Sequence, residues 1–443
     1  MATAPSKTSA PALPAKQLAR IREQLKECAT SLGGEVSARG RAAKLAETYL
    51  GLNDAGRHEF LRLIALEFGP DPKRVATAHA AYQQAVGTPG QWDAEAALRG
   101  AMRSSRIRIV TQFNAIPQGV KFLVDLRADL LRYLEKDPDL KALDRELENR
   151  LTAWFDVGFL ELSRLTWQAP AALLEKLVQY EAVHEIRSWK DLKNRLDSDR
   201  RCYAFFHPRM PMEPLIFVEV ALVGKLADSV QHLLDEDAPT ADPHRADTAI
   251  FYSISNTQVG LRGVSFGNFL LKRVIEDLKR DFPRLKTFAT LSPLPTLRLW
   301  ADRNPDVFAT CFAPDLAKIA KQANIAPDAE ALRALLPKGE WAADARLTRL
   351  IEPGLTRLAA RYLVTAKSGD KPFDPVARFH LGNGARIERL NFLADTAPKG
   401  FKQSYGMMVN YLYEPDDLEE NVEAFVGEGR VVAVAAVRHA AKG

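Results

Sequence analysis

From residue 18 to about residue 153, apolar side chains recur at three- and four-residue spacing between charged ones. Phe60, Leu61, Leu63, Ile64 and Leu66 form one such set, and Phe122, Leu123, Leu126, Leu130 and Leu131 another. That period gathers them on one face of a helix, so a wholly helical domain is predicted over 18–153. After residue 154 the pattern changes. A short strand is predicted at 159–162, helices at 169–180 and 189–196, and strands at 202–206 and 215–222. A further strand over 249–255 is rich in β-branched and aromatic residues (Ile250, Phe251, Tyr252, Ile254). It runs straight into a glycine-rich stretch, 258–267, and then into an amphipathic helix from near Asn268. Leu270, Leu271, Val274, Ile275 and Leu278 form the apolar face of that helix, Lys272, Arg273, Glu276 and Asp277 lie opposite, and Pro283 ends it. A strand ending at Ser292-Pro293 follows. Residues 293–363 return to helix, with 314–323 and 329–336 reading as inserted segments, and 376–380, 387–393 and 406–412 read as closing strands. The fold class is therefore α+β. A disordered Ala/Pro/Ser-rich tail (1–17) precedes the helical domain (18–153), and a mixed-sheet α/β domain with a helical insertion (154–443) follows it.

A glycine loop that feeds a helix start leaves backbone N–H groups unpaired at the positive end of the helix dipole, which suits a phosphate or pyrophosphate. Arg262 adds a full positive charge. The glycines do not have the G-x-G-x-x-G spacing of dinucleotide-binding folds, and no Gly-Lys-Ser/Thr closes a P-loop. Arg262-Gly263-Val264-Ser265-Phe266-Gly267, followed by Asn268, instead resembles the R/Q-x-x-G-x-G/A loop with which the acetyltransferase superfamily holds the pyrophosphate of coenzyme A. Ser265 stands where that pattern has its first glycine. The order strand, two helices, three strands, helix, strand is also that of the acetyltransferase core.

Composition narrows the function classes. A chain of 443 residues with 47% hydrophobic content is long enough for two or three packed domains. The net charge of +5 comes from 61 basic and 56 acidic residues dispersed along the chain. No basic stripe argues for nucleic acid. Cys28, Cys202 and Cys311 are odd in number and widely spaced, with no histidine at ligand spacing, which speaks against disulfides and a zinc site. No apolar run approaches the roughly 18–20 residues of a membrane span. A cytoplasmic protein is expected, with the mitochondrial matrix as the alternative, since a transit peptide would resemble the tail but would carry arginine.

Several longer runs resemble the malonyl-CoA decarboxylase family. They are Phe379-His380-Leu381-Gly382-Asn383-Gly384-Ala385, the stretch 387–395, Gly406-Met407-Met408-Val409-Asn410-Tyr411 and Leu291-Ser292-Pro293-Leu294-Pro295, together with Gly119-Val120-Lys121-Phe122-Leu123-Val124-Asp125-Leu126-Arg127 and Glu213-Pro214-Leu215. The resemblance implies a helical domain that self-associates as a dimer or tetramer and an acetyltransferase-like catalytic domain. It implies malonyl-CoA as substrate and acetyl-CoA as product, with no metal and no cofactor beyond the substrate's own coenzyme A. It also implies Ser292 and His380 as the catalytic pair, and Asn383 and Tyr413 as pocket residues. His207 and Glu213 read as loop residues near the pocket. Taken without the family, a serine before proline is a turn residue and a histidine at the end of a strand is structural. Two other functions fit the same fold: an N-acyltransferase using an acyl-CoA donor, and a non-catalytic acyl-CoA-binding module.

Overall fold

The computed structural model describes residues 13–30, 35–264 and 269–443, and the chain divides into two compact units. The first is built from α1 (Ala15–Thr30), α2 (Glu35–Leu50), α3 (Asp54–Glu67), α4 (Pro72–Ala85), α5 (Gln91–Ala101), α6 (Arg106–Asn114), α7 (Gly119–Tyr133) and α8 (Lys141–Trp154). Helix starts follow from capping: the Asn53 side chain accepts from Gly56 N–H at α3, and Asp71 accepts from Lys73 N–H at α4, where Pro72 occupies the first turn. Phe60, Leu61 and Ile64 of α3, Ile109 and Phe113 of α6, and Leu123, Leu126 and Leu130 of α7 share one core. Leu66, part of the same periodic set, is instead 55% exposed. The hairpin of α4 and α5 stands apart from this core, because α4 buries no side chain and α5 only Ala101. Of the tail expected over 1–17, residues 1–12 lie outside the described residues, and Ala15, Lys16 and Gln17 open α1.

This unit also takes in two segments remote in sequence, His207–Glu213 and the stretch that begins at Gln258. The second of these is seated on α7. A Cβ at Gly260 would stand 1.8 Å from the Val124 carbonyl oxygen, so only glycine fits. Buried Arg127 donates to the carbonyls of Gly260 (2.9 Å) and Arg262 (2.7 Å) while pairing with Asp144 and Glu148.

The second unit begins with β1 (Glu161–Leu165), α9 (Ala171–Tyr180), α10 (Trp189–Arg195), β2 (Arg200–Phe206), β3 (Pro214–Val223), α11 (Val230–Leu233), β4 (Thr248–Asn256), α12 (Phe269–Asp281), β5 (Thr287–Thr290) and β6 (Ser292–Pro293). Apart from the single turn of α11, this is the element order expected from the sequence. A helical stretch follows: α13 (Leu297–Arg303), α14 (Pro305–Phe312), α15 (Leu316–Ala323), α16 (Ala329–Leu335) and α17 (Ala345–Thr365). The chain closes with β7 (Lys367–Ser368), β8 (Lys371–Pro372), α18 (Pro375–Gly382), β9 (Arg386–Asn391), α19 (Pro398–Ser404), β10 (Met408–Leu412), α20 (Leu418–Glu428) and α21 (Ala435–Lys442).

The main sheet runs β1-β2-β3-β4-β5-β10-β6, with β9 also on β10. β4 and β5 pair in parallel and the other neighbours antiparallel, which makes the sheet mixed. β3 is buried through nearly its whole length, and its apolar run is broken by Glu219, which is paired with Arg195 at 3.0 Å. The apolar face predicted for α12 is buried as expected.

One element differs in kind from the sequence expectation. Residues 376–380 form part of helix α18, not a closing strand. The Asp374 carboxylate accepts from Val376 and Ala377 N–H, and Pro375 sits in the first turn with its φ already helical. At the far end the Asn383 amide donates to Phe379 O, and Gly384 turns the chain at φ +85°.

Candidate active site

Ser292 stands just beyond the point where two strands stop pairing. The parallel register of β4 with β5 ends at Phe251 and Thr290. Past it, Tyr252, Ser253, Ile254 and Asn256 on one strand and Ser292 and Pro293 on the other line a cleft of about 200 Å³, with His380 and its neighbours Pro375, Val376 and Phe379 from α18 and its start. The antiparallel pairing of Val409 with Ser292 fixes the serine from the other side.

His380 lies in the last turn of α18. Its Nε2 is 3.1 Å from Ser292 Oγ and its Nδ1 is 2.6 Å from the Tyr413 hydroxyl. Its ring stacks on Tyr411, with centroids 4.6 Å apart and planes at 25°. Tyr411 and Tyr413 are two residues apart at the end of β10, so they present to the same face and hold the imidazole between them. Ser292 Oγ also donates to Thr290 Oγ1 (2.8 Å), which in turn accepts the Tyr411 N–H (3.1 Å).

The group is dry. His380 is 3% exposed, and burial pushes its pKa down to about 3, so the ring is neutral at ordinary pH. Burial likewise holds Tyr413 and Tyr411 well above the usual phenol value. Behind α18, buried Asp374 also accepts from the Tyr362 hydroxyl (2.6 Å). Desolvation raises the Asp374 pKa against these hydrogen bonds, which pull it down. On the β4 wall of the cleft, Ser253 donates to both oxygens of Glu181 (2.8 and 2.7 Å), which also accepts the Val183 and His184 N–H groups.

The structure thus brings Ser292, His380 and Tyr413 together. Tyr413 and Asn383 line a second cleft of about 390 Å³ with Leu271, Lys272 and Ile275 of α12 and Leu418, Glu419 and Val422 of α20. Asn383 caps α18. Of the remaining expected residues, His207, Glu213, Arg262, Gly263 and Val264 belong to the helical unit. There His207 donates through Nε2 to Trp154 O (3.0 Å), because its Nδ1 accepts the Arg209 N–H (3.1 Å). Glu213 N–H donates to Met210 O. The Arg262 side chain is exposed, Gly263 has φ +88°, and Val264 is buried. Ser265, Phe266, Gly267 and Asn268 lie outside the described residues.

Three residues of the site were not singled out from the sequence: Thr290, Tyr411 and Asp374. For the first two the signal was the strand period, since Thr290 is two residues from Ser292 and Tyr411 two from Tyr413. For Asp374 it was the Asp-Pro pair at a helix start. Among the described residues, no group of three or more His, Cys, Asp or Glu is placed to hold a metal ion. Nor, among them, is any helix long and apolar enough to cross a membrane.

Comparison with known proteins adds to this geometry. The family model for the malonyl-CoA decarboxylase C-terminal domain matches residues 158–443, and that for the N-terminal domain matches residues 68–155. Malonyl-CoA decarboxylase, mitochondrial, from Anser anser anser is 37% identical over 421 residues, covering 89% of this chain and 82% of that protein. The Rattus norvegicus protein of the same name is 36% identical over 418 residues, covering 89% and 84%. The solved structure of a malonyl-CoA decarboxylase from Rhodopseudomonas palustris is similar with a TM-score of 0.85 at 41% identity, over 96% of this chain and 99% of that one. A counterpart from Cupriavidus metallidurans gives 0.75 at 43% identity, over 96% and 100%.

Proposed function

The chain belongs to the malonyl-CoA decarboxylase family, and from that premise we propose that it converts malonyl-CoA to acetyl-CoA and CO₂ with Ser292 and His380 at the reacting atoms. The observation that carries this reading is the buried Ser292–His380 hydrogen bond at the mouth of the β4/β5 fork. Decarboxylation breaks the bond between the carboxylate carbon and C2 and leaves the electron pair as a thioester enolate. The site must hold the carboxylate out of the thioester plane, stabilise the oxygen where charge develops, and give C2 a proton. A neutral hydroxyl beside a neutral imidazole supplies donors without offering the substrate a competing charge. The apolar walls from Phe251, Ile254, Pro293, Val376 and Phe379 disfavour the localised carboxylate more than the spread charge of the enolate-like transition state.

The loop from Arg262 to Asn268 is assigned the pyrophosphate of coenzyme A. Its start is held by Arg127 through the Gly260 and Arg262 carbonyls, which leaves the Arg262 side chain exposed. The proposal includes no metal or separate cofactor, and it assigns self-association to the helical unit.

The test is purified protein with malonyl-CoA, a chelator and no added amine, followed for CO₂ and acetyl-CoA. Both should form in equal amounts. Turnover that appears only with an amine would mean acyl transfer, binding without turnover would mean a sensing module, and restoration by a divalent ion would end the metal-free mechanism.

A further inference from the structure

Three protons have to be placed along the line Ser292, His380, Tyr413, with Thr290 Oγ1 accepting at its start, and the contacts allow one consistent order. Tyr411 N–H can only donate, so Thr290 Oγ1 is an acceptor there (3.1 Å). Ser292 Oγ reaches the same oxygen as the donor at 2.8 Å. A hydroxyl has a single proton. With the Ser292 proton directed at Thr290, the 3.1 Å contact to His380 must be Nε2–H donating to Ser292 Oγ. The ring is neutral, because among the described residues no carboxylate contacts it and burial alone sets its protonation. Its Nδ1 is therefore bare and accepts the Tyr413 hydroxyl at 2.6 Å. The lengths agree with this order: 3.1 Å suits a neutral N–H donor, and 2.6 Å suits an O–H donor meeting a good acceptor. The reverse order would have a weakly basic phenol oxygen accept from the ring and leave the Tyr413 proton with no acceptor in a site where that residue is 2% exposed.

We infer that Tyr413 sets the Nε2–H tautomer of His380 and, during turnover, replaces the proton that the Ser292–His380 pair gives to carbon. The inference rests on the decarboxylase reading only for what that proton is spent on. As the enolate forms, the Ser292 O–H bond breaks and a C2–H bond forms. Ser292 Oγ then takes the proton from His380 Nε2, and His380 Nδ1 takes the proton from Tyr413. The two transfers at the ring occur in one concerted step, so no imidazolate is formed, and the ring ends neutral with its proton on Nδ1, which exchange returns to Nε2 before the next turnover. The negative charge of the enolate ends on the Tyr413 oxygen. That phenolate is uphill in a buried site, but the transfer is driven by a carbanion that is a far stronger base. Tyr413 also lines the second cleft, beside Lys272 and Asn383, where water can return the proton. The chain of groups thus runs from the cleft that holds Ser292 to a different one, and proton supply need not pass the departing CO₂. Tyr413 acts through His380 and is a positioning residue; Thr290 orients the serine.

The test reads the tautomer directly, in unliganded protein. With histidine labelled with ¹⁵N, and the His380 signals identified by their loss in His380→Gln, Nε2 should show a pyrrole-like shift and Nδ1 a pyridine-like one. In Tyr413→Phe the two should move towards each other, and kcat for malonyl-CoA should fall by about tenfold or more with KM within about twofold. A pyrrole-like Nδ1 in the unaltered protein, or a Tyr413→Phe spectrum identical to it, overturns the inference. Should Tyr413→Phe fail to fold, 3,5-difluorotyrosine at position 413 keeps the size and the hydrogen bond while acidifying the phenol. It should move the alkaline limb of the kcat profile to lower pH, and an unmoved profile refutes the proton supply. If the tautomer is found as stated but malonyl-CoA is not turned over, the decarboxylase reading fails while the assignment of Tyr413 stands.

Discussion

Ser292 and His380 are 88 residues apart in the chain, and nothing local to either names the other. Each alone reads as structural, and only the family runs around them paired them before the geometry did. The contact itself fits a functional pair, because a hydroxyl shared between Thr290 and an imidazole has a lone pair and a proton to redirect once substrate enters. Ser292→Ala and His380→Ala should each lower kcat by about 10²–10⁴-fold, the usual range for positioned acid–base groups, with malonyl-CoA binding retained through the loop. Steady-state kinetics on the two singles and the double decides whether they act as one unit: the double should be scarcely worse than the worse single. Fully multiplicative losses would separate the two residues. Thr290 and Tyr411 escaped notice because hydrogen-bonding and stacking roles depend on register, and a single sequence shows the strand period without showing which face meets His380.

At the scale of elements, most of the second unit was legible because its strands and helices differ in period, and because the apolar face of α12 is complete. α18 was not. Its residues 376–380, with Val376 and Phe379, read as strand, whereas the capping carboxylate of Asp374 and the preset φ of Pro375 outweigh so short an apolar pattern. The seating of the loop after Gln258 on α7 was also invisible, since it depends on the missing Cβ of Gly260 and on the reach of Arg127. The cap on α18 has a measurable consequence, because it fixes the helix that presents His380. Asp374→Ala removes the acceptor for two backbone N–H groups and for Tyr362, and should cost about 2–3 kcal/mol, on the scale of one cap plus one orphaned donor. It should also lower kcat more than it raises KM. Asp374→Asn keeps the carbonyl acceptor at the cap and should recover most of the stability. Thermal unfolding and kinetics on the pair check this, and an alanine variant as stable as the parent would mean that packing, not the cap, holds α18.

Across the whole molecule, two histidines with lowered pKa tie stability to pH. His380 and His184 are both held down to about 3 by burial, against an ordinary value of 6.5. Below that ordinary value the unfolded chain takes up protons that the folded chain refuses, so their contribution is complete above about pH 6.5 and is lost as pH falls. The limiting slope is about 1.4 kcal/mol per pH unit for each. The dependence of urea unfolding on pH between roughly 6.5 and 5 should therefore be shallower in His184→Gln than in the parent, buried carboxylates such as Glu219, raised to about 8 by burial, acting alike in both; equal slopes would mean that His184 is protonated in the folded state. The helical unit raises a different whole-molecule question. Helices of 14 and 11 residues are marginal on their own in water, yet α4 and α5 pack on each other without joining the core. Trp92 is 73% exposed, and Met102 and Val86, which flank the hairpin helices, are 59% and 54% exposed. Apolar groups of this size left open at the ends of a bare hairpin are what a second copy of the chain would cover. Sedimentation of the full chain should give a dimer or tetramer, and Trp92→Glu combined with Met102→Glu should give a smaller species with unchanged helix content. An assembly that keeps its size in that variant places the subunit contacts elsewhere, and a monomer in the parent protein removes self-association from the proposal.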